Sequence, residues 1–204
     1  MSRVLIVFAH PALEKSRVHS RLMRRVPVRP EVTFHDLYEE YPTFAVDVER
    51  EQALLSGHDV VVLQHPLFWY STPPLLKQWI DLVLEHGWAY GSAGNALHGK
   101  RAVSVVTAGG RAGAYEPNGY NRFTIRQFLA PVEQTWRLCG LEYWPPYVIY
   151  GTHGMHPADI EKEADRYGGF LDLLADDRIE ANRVSGRDDI RPLIMEMTNP
   201  GGLS

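Results

Sequence analysis

Three stretches constrain the fold of this chain more than anything else in it: Arg3–Ala9 (RVLIVFA), Asp59–His65 (DVVVLQH) and Arg101–Thr107 (RAVSVVT). Each is a short run rich in β-branched residues, without the apolar–polar alternation of a strand that faces water on one side. Such runs belong to strands covered on both faces. Two weaker strand candidates, Glu31–His35 and Pro146–Tyr150, complete a set of five. Five helix candidates alternate with them: Arg17–Val26, Val46–Ser56, Pro73–His86, Phe123–Leu138 and Pro157–Leu174. Alternating strands and helices imply a parallel sheet joined by right-handed crossovers. The expected fold is α/β, with helices on both faces of a five-stranded parallel sheet of order 2-1-3-4-5. The third helix is the best defined: Thr72 to cap it, Pro73 and Pro74 in its first turn, Gly87 to end it. Leu76, Trp79, Ile80 and Val83 form its buried stripe.

Composition narrows the class. A chain of 204 residues, 45% apolar and 23% charged, suits one soluble globular domain. No run of about 18 apolar residues is present to span a membrane, and the start MSRVLIVFAH lacks a signal-peptide cleavage site, so a cytoplasmic protein is expected. A single cysteine, Cys139, excludes a disulfide framework and Cys-rich zinc sites. Periodicity fades after Asp176, so residues 179–204 read as an extension that is loosely ordered or docked on a partner subunit. Residues 1–29 carry seven basic side chains against Glu14, a charge of +6, which leaves −10 for the rest of a chain of net charge −4. That basic segment serves either an anionic partner or a solvated helix face. The acidic whole argues against nucleic-acid binding.

In an open α/β sheet, ligands bind outside the carboxyl ends of the strands near the switch point. After the first strand come His10 and then Ser16-Arg17-Val18-His19. Ser16 is placed to cap a helix whose first N–H groups, with His10 and His19, would surround an anion. The alternative is that Ser16 only caps and His10 only packs. After the third strand come Pro66-Leu67-Phe68-Trp69-Tyr70, whose consecutive aromatics cannot all be buried in an extended segment. They suit a planar ligand, or else they seal the end of the core or a dimer contact. After the fourth come Thr107-Ala108-Gly109-Gly110, where glycine admits close approach of backbone N–H groups to a ligand, and then Tyr115.

Several chemistries fail on spacing. Gly94–Lys100 matches G-x-x-x-x-G-K, but Arg101 stands where a phosphate loop needs Ser or Thr, and the segment leads into a strand. No G-x-S-x-G elbow is present. His153-Gly154-Met155-His156 is not a zinc helix, and no metal is expected. Cys139 reads as a buried small hydrophobe.

With His10, Ser16, HPLFWYSTPPLLKQWID, HGWAYG, ALHGK and TAGG in order, the chain resembles the flavodoxin-like NAD(P)H:quinone oxidoreductases. Within them it is most similar to the ancillary subunits of glutathione-regulated potassium-efflux systems. The resemblance covers about Val4 to Leu174, which makes residues 1–178 a flavodoxin-like flavin-binding domain in a three-layer sandwich. It implies FMN, with FAD the alternative, and NAD(P)H as co-substrate. The flavin phosphate would lie against His10 and Ser16–His19, and the ring against Pro66–Tyr70 and Thr107–Gly110. The implied reaction is ping-pong two-electron hydride transfer to a quinone or similar electrophile. Tyr115 matches a substrate-contacting tyrosine, and Asn121 stands where the family has a pocket histidine, so proton donation falls to Tyr115 or water. The resemblance also implies a homodimer with its sites at the subunit junction. Its rivals are a regulatory subunit held at the inner face of the membrane by a potassium-efflux transporter, and an azo- or nitro-reductase of the same fold.

Overall fold

In the computed structural model, which describes residues 1–198, six segments are extended. They are β1 (Val4–Phe8), β2 (Val32–Asp36), β3 (Val60–Pro66), β4 (Arg101–Thr107), β5 (Glu142–Tyr143) and β6 (Tyr147–Ile149). All pairs are parallel and the order is β2-β1-β3-β4-β5, with β6 also on β4. The fifth position is shared. Arg101–Ala102 pair with β5 and Val105–Thr107 with β6, and between these short strands stand Pro145 and Pro146. The expected strand at Pro146–Tyr150 forms as β6, and neither proline has an N–H to give the ladder, so β5 before them stands as a separate, additional short strand.

The helices are α1 (His19–Leu22), α2 (Leu37–Glu40), α3 (Val48–Ser56), α4 (Pro74–Val83), α5 (Ile125–Phe128), α6 (Ala130–Leu138), α7 (Pro157–Ala175), α8 (Ala181–Val184) and α9 (Arg191–Thr198). Several differ from expectation. The first is one turn long and tightens into a 3₁₀ turn at Met23–Arg25. Thr72 does not cap α4: Pro73 holds that position without a side-chain bond, and the helix ends at Val83. Gly87, at φ +87°, serves the following turn, donating its N–H to the Tyr90 carbonyl at 2.8 Å. The expected helix at Phe123–Leu138 is two. A Thr124–Gln127 capping box starts α5, and Pro131, which has no N–H to bond backward, opens α6 after the break at Leu129.

The sheet divides the core by strand period. Leu5 and Val7 pack with Leu63, Trp79 and Trp136 on the α3–α4–α6 side, and Val4 and Ile6 with Tyr167, Phe170 and Leu174 on the α7 side. The basic amino-terminal segment meets the acidic outer face of α7. Arg21 pairs with Glu161 at 2.8 Å, Arg25 with Asp165 at 2.6 Å, and Arg29 with Glu31 and Asp176 at 2.9 Å each.

The extension from Ile179 to Thr198 packs against the chain's own core. Ile179, Val184, Ile190, Leu193 and Ile194 are buried in the α7-side core, and Arg191 donates to Glu163 at 2.8 Å. Its helices are too short to show periodicity in the sequence. The rest of that extension, residues 199–204, lies outside the described residues. Among the described residues, no helix is long and apolar enough to cross a membrane.

Candidate functional site

The carboxyl ends of β1, β3, β4 and β6 surround a cavity of about 920 Å³, the size of a small-cofactor site. Its first wall is the loop after β1. His10 is 8% exposed and accepts the Ala12 N–H at Nδ1, 3.2 Å away; burial pulls its pKa below the ordinary histidine value, which favours the neutral ring. The Ser16 hydroxyl accepts the His19 N–H at 3.2 Å, so the capping bond forms although the helix begins only at His19. Lys15, Ser16, Arg17 and Val18 line the cavity, and Arg17 is anchored by a 2.7 Å bond from Nη2 to the Met155 carbonyl. His19 is behind this wall, 1% exposed, with Nε2 3.0 Å from Thr107 Oγ1.

The second wall is Pro66–Tyr70. Leu67 donates its N–H to Thr107, and Phe68 and Ser71 exchange backbone bonds of 3.1 and 3.0 Å across a two-residue turn. The residues at its tip, Trp69 and Tyr70, have φ of +48° and +64°. Positive φ at both centres suits Gly or Asn; a bulky residue there costs about 1–2 kcal/mol. Backbone strain is thus kept in two aromatic residues at the mouth of the cavity. Trp69 is 93% exposed. Tyr70 is not a free platform: its ring stacks on Phe128 and its hydroxyl donates to Asn121 at 3.2 Å.

The third wall is the end of β4 with its loop. Thr107, Gly109 and Gly110 line the cavity, whereas Ala108 points into the core and is 1% exposed. A Cβ at Gly109 would lie 2.6 Å from the His153 ring, and one at Gly110 3.1 Å from the Tyr115 ring. Glycine thus lets the two rings lie close against the backbone here. The Gly109 N–H has no protein acceptor among the described residues and is available to a ligand. Burial raises the Tyr115 hydroxyl above its ordinary value, so it stays protonated and can donate. Asn121 is not on the wall; it sits beside Tyr70.

Sequence reasoning missed Lys15, Thr152 and His153, all of which line the cavity. The last two follow β6, so the rule that ligands gather at carboxyl ends of strands would have found them had the fifth strand been followed to its end. Two exclusions hold. Lys100 donates to the Ser56 and His58 carbonyls at 3.0 and 2.6 Å, tying down a loop, and is no phosphate lysine. The Cys139 thiol is buried and pushed up to about 11, so it is no nucleophile. Among the described residues, no cluster of three metal-ligating side chains occurs.

The family described as "Flavodoxin-like fold" matches residues 2–171. The glutathione-regulated potassium-efflux system ancillary protein KefG of Serratia proteamaculans is 43% identical over 169 residues, covering 83% of this chain and 92% of that protein. General stress protein 14 of Treponema denticola, solved in complex with FMN, is 38% identical. It has a TM-score of 0.78 and covers 84% of this chain and 99% of its own. An NADPH-quinone reductase structure from P. pentosaceus is 30% identical with a TM-score of 0.75, covering 83% and 97%.

Proposed function

Because the chain belongs to the flavodoxin-like family, whose pattern it matches over residues 2–171, we propose that it is an FMN-dependent NAD(P)H oxidoreductase that reduces quinones or similar electrophiles. The observation that carries this reading is the cavity at the switch point, walled by a cationic loop, a strained aromatic turn and a glycine cradle. The Gly109 N–H, unpaired among the described residues and beside Thr107 and Tyr115 on the cavity wall, suits the polar edge of a flat ring. The 38%-identical relative, matched over 99% of its length, is solved with FMN, and the 30%-identical one is named an NADPH-quinone reductase.

Bound FMN would supply two-electron hydride chemistry between NAD(P)H and the acceptor, the two using the open side of the cavity in turn. The chain's residues bind and orient. Lys15 and Arg17 lie on the wall where a phosphate would be neutralised, with Ser16 and His10 beside them. Trp69 would cover the flat face of the ring, and the Gly109 N–H would stabilise negative charge on its edge. Tyr115 and His153 are the proton-bearing groups nearest the glycine cradle, while Asn121 acts by holding Tyr70.

The test is the visible spectrum of the purified protein together with oxidation of NADH and NADPH in the presence of a water-soluble quinone. Flavin absorbance bands and quinone-dependent oxidation are expected. Protein that cannot be loaded with FMN would end the proposal. The same reading makes the protein a homodimer with shared sites; a monomer of full activity in light scattering would contradict that part. A second reading, favoured by the 43%-identical KefG relative, is an ancillary subunit docked on a potassium-efflux transporter at the cytoplasmic face of the membrane. Co-purification with the transporter would support it, and potassium efflux unchanged by the protein would oppose it.

A further inference from the structure

A line of four side chains crosses the sheet from the α7 side to the cavity wall. The Tyr167 hydroxyl is 2.5 Å from Gln64 Oε1, Gln64 Nε2 is 3.2 Å from His19 Nδ1, and His19 Nε2 is 3.0 Å from Thr107 Oγ1. Tyr167 and Gln64 are wholly buried, His19 is 1% exposed and Thr107 7%. Of the four, only Thr107 lines the cavity.

The direction of each bond follows from the one before it. A phenol facing a carbonyl oxygen must donate, which turns the Gln64 amide N–H toward His19. Nδ1 must then accept, so the imidazole is neutral and carries its proton on Nε2. That Nε2–H donates to Thr107 Oγ1, leaving the threonine hydrogen with no acceptor among the described residues. The reverse polarity would flip the Gln64 amide and strand the Tyr167 hydrogen in a wholly buried site that offers it no other acceptor. Burial, with His10 and His65 nearby, lowers His19 well below the ordinary range, in keeping with a neutral ring.

We infer that the Thr107 hydroxyl is a directed hydrogen-bond donor to an oxygen or ring nitrogen of the bound cofactor, its polarity set from behind by Tyr167 through Gln64 and His19. The inference rests on the reading that the cavity holds FMN. It makes Thr107 a binding residue and the other three positioning residues. It also gives the buried His19 a task in setting the donor, where sequence reasoning placed it as a direct phosphate contact.

Two measurements on the full-length protein test this. Side-chain ¹⁵N NMR of the histidines reports the His19 tautomer with or without cofactor, and quenching of flavin fluorescence reports FMN affinity of the apoprotein. The Nε2–H tautomer is expected. Thr107→Val should lose about 3–10-fold in FMN affinity, as for one neutral hydrogen bond, and Thr107→Ser should recover it. Tyr167→Phe should let His19 populate both tautomers while the protein stays folded. An Nδ1–H tautomer in the wild type, or wild-type affinity in Thr107→Val, would overturn the inference. Wild-type protein that shows the Nε2–H tautomer but binds no FMN would overturn the flavin reading, and with it the identity of the ligand, leaving the polarity of the line established.

Discussion

Tyr70 stacks on Phe128 with ring centroids 4.8 Å apart and planes 28° from parallel, while its hydroxyl donates to Asn121. Two elements far apart in sequence thereby hold one arm of the strained turn in place. Of the aromatic trio, Phe68 packs edge-on to His10, Tyr70 is committed to α5, and Trp69 alone has no such contact at 93% exposure. The turn is rigidly held on one side and offers a single free ring.

Trp69 gives the first prediction. Since the ring is exposed and its backbone strained, Trp69→Gly should leave stability unchanged or raise it by up to about 1 kcal/mol. FMN affinity should fall by about 3–10-fold for want of stacking. Thermal unfolding and flavin titration of one preparation measure both. A variant that loses stability would show the ring packs inward; one that keeps its flavin would remove the platform.

Glu51 is wholly buried, yet His35 Nε2 is 2.8 Å from Oε1, the Tyr41 hydroxyl donates at 2.5 Å and Trp79 Nε1 at 2.7 Å. Burial pushes its carboxyl up, but these donors outweigh burial and hold it below the usual carboxylate range. Glu51→Leu would strand three buried donors and should cost about 3–5 kcal/mol in urea denaturation. Because Glu51 is not on the cavity wall, the milder Glu51→Gln should bind FMN normally once folded. A cost under about 1 kcal/mol for Glu51→Leu would show that the cluster is not needed for folding.

Acid should weaken the fold from below about pH 6.5. Burial lowers His65 to about 4 and His19 well below the ordinary value, so the native state keeps both rings neutral. The unfolded chain takes up these protons below about pH 6.5, and a state that binds more protons gains as pH falls. Stability is thus complete above about 6.5 and declines through the weakly acid range, with His65 contributing about 3 kcal/mol of loss by pH 4. Chemical denaturation at pH 7.5 and pH 5 reads this directly, and equal midpoints would contradict it.

The amino-terminal arginines offer a negative control. Arg21 and Arg25 face Glu161 and Asp165 on α7, with side chains 39% and 43% exposed. Arg21→Ala and Arg25→Ala should each cost at most about 1 kcal/mol, the loss shrinking with added salt, and should leave FMN affinity as it was. Weaker FMN binding in either variant would assign the basic segment to the ligand after all.

Much of the fold was legible because the informative patterns are local. A strand covered on both faces needs apolar residues at successive positions, and Val60–Leu63 meet that need within one run. Glycine beside a ring likewise shows in TAGG, as does an aromatic surplus in LFWY. Helix limits were less legible. Pro131 split one expected helix, and Pro145-Pro146 separate the expected strand from an unexpected short one, β5, effects of missing N–H groups that a hydrophobic pattern does not display. The extension after Ile179 escaped because α8 and α9 are too short to show a period; contacts of Val184, Leu193 and Ile194 with the α7-side core hold them.

By itself, then, the sequence determined the parallel sheet, its order, and the edge at which a ligand must gather. These follow from burial and crossover handedness, which local composition carries. The tertiary structure decided how that edge is furnished. It brought His153 over Gly109, spent the arginines on α7, and placed Gln64 against His19 and His19 against Thr107. The physical reason is that a hydrogen bond's direction and a charge's partner are properties of pairs. These pairs lie 44 to 147 residues apart along the chain, where no spacing rule reaches.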